Sequence, residues 1–177
     1  MTDHFIIPLN GLPAGKSTYH QQAGKEFFNS FENSDILDAS VDVEVLIEKS
    51  GNYLGVDCKI EGDLVVECDR CLEELELPVE KTVKLSIKFG DEPAEGLDLM
   101  EDEREILYLP LDADELDLGQ VVYDYSILSL PMQRVHEDGG CNPEVMARLN
   151  GEAVGEKKEE IANDNPFAVL KGMFDEE

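Results

Sequence analysis

Apolar residues recur at every second position over much of this chain, the period of a β-strand with one buried face. Val41, Val43, Val45 and Ile47 alternate with Asp42, Glu44, Leu46 and Glu48. After a turn at Ser50-Gly51-Asn52 the alternation resumes in Leu54, Val56, Cys58 and Ile60, and after Glu61-Gly62-Asp63 it resumes in Leu64 to Cys68. Three strands in a meander are predicted. Leu75, Leu77 and Val79, then Val83, Leu85, Ile87 and Phe89, add at least one more, interrupted at Pro78 and halted at Gly90-Asp91-Glu92-Pro93. A short strand from Phe5 stops at Pro8 before a turn at Asn10-Gly11, and strand character returns briefly at Ile106, Tyr108 and Leu109-Pro110-Leu111. Residues 17–23 carry no decisive period.

The helical period is rarer. Phe27, Phe28 and Phe31 form an aromatic cluster at helical spacing that fits one end of a core. Leu118, Val121, Val122, Tyr125, Ile127 and Leu128 build the apolar face of one main helix, which Asp114 or Asp117 can cap and which ends before Pro131. The pattern predicts an α+β fold: a mainly antiparallel sheet, a meander either open or closed like a barrel, with one main helix and a flexible acidic C-terminal region.

Asn150 to Glu160 is charged and aperiodic, which marks a linker. In the last segment apolar residues return at Phe167, Leu170, Met173 and Phe174 behind Asn165 and Pro166, the pattern of a short capped helix. The expected organisation is a single β-rich domain over residues 1–150, a mobile acidic linker over 151–164 and a helical motif over 165–177. Phe167, Leu170 and Phe174 are candidates for docking on this protein's own sheet or on a partner. Residues 91–103 are acidic and turn-rich, as in an exposed loop.

Charge narrows the function. The 177 residues include 41 acids against 14 lysines and arginines, a net charge of −27. Such a body repels phosphate backbones and anionic membranes, so a broad RNA-binding surface is disfavoured, leaving simple solubility, a basic protein partner or a small local basic patch. No run of 18 apolar residues occurs, and the start Met1-Thr2-Asp3-His4-Phe5 lacks a basic region followed by an apolar run. A cytoplasmic protein is expected, and four cysteines there suggest thiols or metal ligands rather than disulfides.

Cys68-Asp69-Arg70-Cys71 can turn two sulfurs toward one point, and the further donors at ligand spacing are His136 and Cys141 in Val135-His136-Glu137-Asp138-Gly139-Gly140-Cys141. These four residues could hold a structural zinc ion. The alternative is an inert thiol pair at a strand end with His136 and Cys141 unrelated to it. A thioredoxin-like motif is disfavoured, because that motif opens a helix in a βαβ unit. Cys58 falls on the apolar parity of its strand and is expected in the core. Gly11-Leu12-Pro13-Ala14-Gly15-Lys16-Ser17 imitates a phosphate-binding loop but has three residues between its glycines instead of four, and no long helix follows. No nucleotide site is expected there.

With these residues in hand the chain resembles the large ribosomal RNA subunit accumulation protein family, YceD. The resemblance rests on Val66-Glu67-Cys68-Asp69-Arg70-Cys71, Glu115-Leu116-Asp117-Leu118, Ser129-Leu130-Pro131, Val135-His136 followed by Cys141, and Asn165-Pro166-Phe167-Ala168-Val169-Leu170, in that order. Some members carry further cysteines in the second half, where this chain has Cys141 with His136. The resemblance implies a part in the synthesis, processing or stability of large-subunit (23S) ribosomal RNA, without catalysis.

Two modes of action follow. A ribosome-biogenesis factor would engage pre-ribosomal RNA or large-subunit ribosomal proteins, with Lys59, Arg70, Lys84 and Lys88 as candidate phosphate contacts if their strands pair as a meander. An acidic interaction adaptor with a structural zinc site would need no RNA contact. The structural alternative for the four basic residues is ordinary surface. An enzyme has little support, because carboxylate pairs are expected by chance in so acidic a chain and no nucleophilic triad is evident.

Overall fold

The computed structural model describes residues 5–32, 35–90, 100–101 and 103–151. The expected linker beyond residue 151 and the C-terminal motif with Phe167, Leu170 and Phe174 lie outside the described residues, as does most of the acidic stretch after Gly90. In chain order the elements are β1 (Ile6–Pro8), β2 (Gly15–Gly24), α1 (Lys25–Phe28), β3 (Ile36–Ser50), β4 (Tyr53–Glu67), β5 (Glu74–Phe89), β6 (Met100–Glu101), β7 (Arg104–Leu109), β8 (Glu115–Asp117), α2 (Gly119–Ser129) and α3 (Pro143–Leu149).

Six strands form one sheet in the order β2-β3-β4-β5-β7-β6, and β1 pairs with β8 in a separate ribbon. The pairings are antiparallel except β5 with β7, which run parallel. The sheet is open rather than a closed barrel, since β2 and β6 stand at opposite ends of it.

Two expected breaks are absent. Glu61-Gly62-Asp63 lies inside the 15-residue β4, where Gly62 (φ +153°) pairs with Val41 and a Cβ would fall 2.1 Å from the Ser40 carbonyl oxygen. That glycine admits a close backbone approach instead of making a turn. Pro78 lies inside the 16-residue β5 opposite Asp63, while β7 flanks only Leu85 to Phe89. On the side away from β4 this half of β5 has no strand neighbour among the described residues, so a missing N–H is tolerated there.

One face of the sheet is dry. Val41, Val43, Val45 and Ile47 of β3, Val56, Cys58, Ile60 and Leu64 of β4, and Val79, Val83 and Leu85 of β5 are buried with Phe5, Ile7, Leu116, Leu118 and Val122 from the covering layer. Each large aliphatic side chain so buried contributes about 1.5–3 kcal/mol. The expected aromatic cluster joins the layer: Phe27 packs edge-on against Phe5, Phe28 and Phe31, and Phe31 stacks on Tyr123 of α2 at 4.1 Å. Cys58 is in the core as expected, its thiol pushed up to about 12 by burial and then by neighbouring Asp57.

Of the two expected caps the later, Asp117, serves the first turn of helix α2, while Glu115 to Asp117 are strand rather than helix. Glu115–Asp117 pair with Pro8 to Ile6, and Asp117 Oδ1 accepts a hydrogen bond from the Gly119 N–H at 2.8 Å. The buried stripe is Leu118, Gly119, Val122 and Ser126, with the Ser126 hydroxyl donating to the Val122 carbonyl at 2.6 Å. Leu128, expected on the apolar face, is 74 % exposed, because two residues along a helix from Ser126 is the opposite side. Gly15-Lys16-Ser17 opens β2, without a helix behind it.

Candidate metal centre

The connection from β4 to β5 is six residues long and carries both early cysteines. Its backbone is folded back on itself: the Cys68 N–H donates to the Glu73 carbonyl and the Leu72 N–H to the Cys68 carbonyl, both at 2.9 Å. Leu72 takes φ +62°, a left-handed conformation that costs a non-glycine residue about 1 kcal/mol or more. The turn thereby aims Cys68 and Cys71 inward.

His136 and Cys141 lie between α2 and α3, on a segment docked to that turn at several points. The Asp69 N–H donates to the Arg134 carbonyl and the Arg134 N–H to Asp69 Oδ2, both at 2.7 Å. The Arg134 guanidinium lies 3.5 Å from Asp69 and 3.9 Å from Asp35. Arg70 Nη2 donates to the His136 carbonyl at 2.8 Å, and Asn142 Nδ2 to Glu73 Oε1 at 2.6 Å. Asn142 also caps α3 through the N–H groups of Glu144 and Val145, with Pro143 at the first turn.

Cys68, Cys71, His136 and Cys141 therefore meet, all ligand atoms lying within 4.8 Å of one another. Cys68 Sγ is 3.9 Å from Cys141 Sγ, and His136 Nδ1 is 3.4 Å from Cys71 Sγ and 3.8 Å from Cys141 Sγ. Tetrahedral zinc with about 2.3 Å sulfur bonds needs sulfurs about 3.8 Å apart and a nitrogen slightly closer. His136 Nε2 lies 3.0 Å from the Glu74 carbonyl oxygen. A carbonyl only accepts, so Nε2 carries the proton and Nδ1 turns a bare lone pair to the thiols. The donor set thus fits a metal ion in a closed site of four protein ligands.

Among these groups Cys68 is shifted toward its ligating form while His136 and Cys141 are shifted toward their protonated forms, so an ion entering the cluster must displace their protons. Burial works against ionisation of Cys68, but N–H groups of Cys71, Arg70 and His136 and the Cys71 thiol bring it down to about 6. His136 is raised, first by its hydrogen bond to Cys68 and then by the Glu74 carbonyl. Cys141 is raised by burial and by the neighbouring Cys68 and Cys71 thiols.

The four candidate phosphate contacts do not form one patch. Lys59, Lys84 and Lys88 share the outer face of the sheet by strand parity, whereas Arg70 is committed to the cysteine turn. Lys59 lies 2.7 Å from Glu61 and opposite Glu44, and hydrogen bonding to Glu61 raises its pKa. Lys84 stands opposite Asp57, which pairs with Arg104 at 2.7 Å. Sequence reasoning missed Asp69, Arg134 and Asn142 as the residues that dock the two halves. For Asn142 a signal exists, since Asn142-Pro143 is the same cap signature as Asn165-Pro166.

Fold and site together define a small β-rich domain in which two loops meet at a three-cysteine, one-histidine cluster. The chain belongs to the family of the large ribosomal RNA subunit accumulation protein YceD, whose profile matches residues 56–174 and so includes all four cluster residues. No solved structure matches the chain. Among the described residues no helix is long and apolar enough to cross a membrane.

Proposed function

We propose that this protein is a non-catalytic ribosome-biogenesis factor of the cytoplasm, supporting the synthesis, processing or stability of 23S ribosomal RNA. The family match over residues 56–174 carries the reading. Cys68, Cys71, His136 and Cys141 hold a structural zinc ion, which suits three sulfurs with one imidazole and leaves no open position for water. Bound there, the ion ties the β4–β5 turn to the α2–α3 loop and fixes the surface on which a partner is engaged.

A second reading has an observation in its favour. The outer face of the sheet carries Asp42, Glu44, Asp57, Glu61 and Glu80 around Lys59 and Lys84, so it suits a basic ribosomal protein better than a phosphate backbone. In this reading the protein is an acidic adaptor with the same zinc site and no direct RNA contact. One experiment addresses both. Depletion of the protein should lower mature 23S ribosomal RNA while leaving the small-subunit RNA unchanged, and equal loss of both would refute the reading. A photo-crosslinker at Lys84 should then capture RNA in the first case and a basic large-subunit protein in the second.

A further inference from the structure

The two ends of the main sheet are unequal. At one end β6 has two residues, and the exposed half of β5 carries Pro78 with Glu76 and Glu80, the usual devices that block edge pairing. At the other end β2 presents ten residues in unbroken register with β3, without proline and without a bulge. No backbone bond from β2 to anything but β3 occurs among the described residues. Its row of outward N–H and C=O groups is therefore an open template for another strand.

Charge singles out the same strand. From His4 to Lys25 there is no aspartate or glutamate, although 41 acids in 177 residues would place about five in a stretch of that length. A basic partner would be drawn by acids along this edge, whereas a partner of charge −27 needs them removed. The acids of β3 sit one strand further in. Across an added strand they would be about 10 Å from the newcomer, beyond the Debye length of about 8 Å at physiological salt.

We propose that the free edge of β2 is the pairing interface between two copies of this chain, aligned antiparallel about a two-fold axis. Such an interface is self-complementary and joins two six-stranded sheets into one of twelve strands. A two-fold pairing centred on His20 sets each half-buried Tyr19 opposite Gln21 of the second copy, on the face that β3 lines with Val43 and Val45.

Light scattering and hydrogen exchange on the full zinc-loaded chain test this. A concentration-dependent dimer is expected, tightened about several-fold when salt rises from about 50 to 500 mM, because screening relieves the repulsion of two acidic bodies. Amides of β2 should become protected as the dimer forms. Thr18→Glu/His20→Glu should weaken dimerisation by at least about tenfold by setting like charges across the seam, with zinc content kept, and the Thr18→Gln/His20→Gln control should pair like the parent. A monomer at about 100 µM in high salt overturns the proposal. So does a dimer that the glutamates leave intact or that salt dissociates, and so does protection of the β2 edge in the monomer, which would show another segment of the same chain covering it.

Discussion

Cys58 and Cys68 belong to one strand and its first residue beyond, both wholly buried, yet burial has opposite consequences for them. Cys58 sits where every backbone N–H is used in the ladder, between β3 and β5, so its thiol meets only apolar neighbours and Asp57 and is pushed up to about 12. Cys68 sits where the chain leaves the ladder and turns, and there N–H groups of Cys71, Arg70 and His136 converge on its sulfur and bring it down to about 6. Burial by itself makes a cysteine inert. Burial with donors aimed at the sulfur makes a ligand.

The largest test of that contrast is substitution of each kind of cysteine. Cys71→Ser should lose the zinc and with it a metal free energy on the order of 10 kcal/mol at neutral pH, comparable with the whole stability of a domain. Cys58→Ser should keep the zinc and lose about 1–3 kcal/mol for a hydroxyl placed among apolar side chains, equivalent to about 3–10 °C of Tm. Equal melting losses, or full zinc content in Cys71→Ser, would break the comparison.

A smaller effect separates the cysteines by pH in chelator-treated protein. Cys68 is depressed in the fold, so its contribution is present above its ordinary value near 9 and is lost as pH falls through about 6. Cys58 is raised, so its contribution is present below 9 and is lost as pH rises toward about 12. In urea titrations Cys68→Ser should therefore flatten the limb in which stability rises between about pH 6 and 9, and Cys58→Ser the limb in which it falls between about pH 9 and 12. If both variants flatten the same limb, the two environments are not distinct.

The smallest effect is expected at Asp69, which binds the Arg134 N–H at 2.7 Å and its guanidinium at 3.5 Å without touching the cluster. Asp69→Ala should lower stability by only about 1 kcal/mol, since the pair is partly exposed, but it should speed zinc release to a chelator. Unchanged release would assign the docking of the two loops to Arg70, Asn142 and the backbone bond from Asp69 to the Arg134 carbonyl.

The central strands β3, β4 and β5 and their buried parity were legible from residue order, because in a half-buried sheet the period of two is imposed on each residue by its own position. By contrast, β2 at the edge carried no decisive period and β8 read as the start of the helix. Cys58 in the core, the aromatic cluster around Phe27 and the four candidate ligands followed from spacing alone. Where the local signal was ambiguous, tertiary contacts decided. Gly62 and Pro78 look like strand ends in sequence, yet both are strand interior: Gly62 admits the close approach of Ser40, and Pro78 lies on a half of β5 that has β4 as its one strand neighbour among the described residues. Leu128, expected on the apolar face of α2, is exposed, while Ser126 is buried on the stripe with Leu118 and Val122, because the face that meets the sheet is fixed by packing rather than by the apolar pattern alone. That the cysteine turn and the His136 loop share one site was likewise a tertiary matter. Sixty-five residues separate Cys71 from His136, and their meeting depends on backbone and side-chain bonds from Asp69, Arg70, Arg134 and Asn142 that carry no periodic signature.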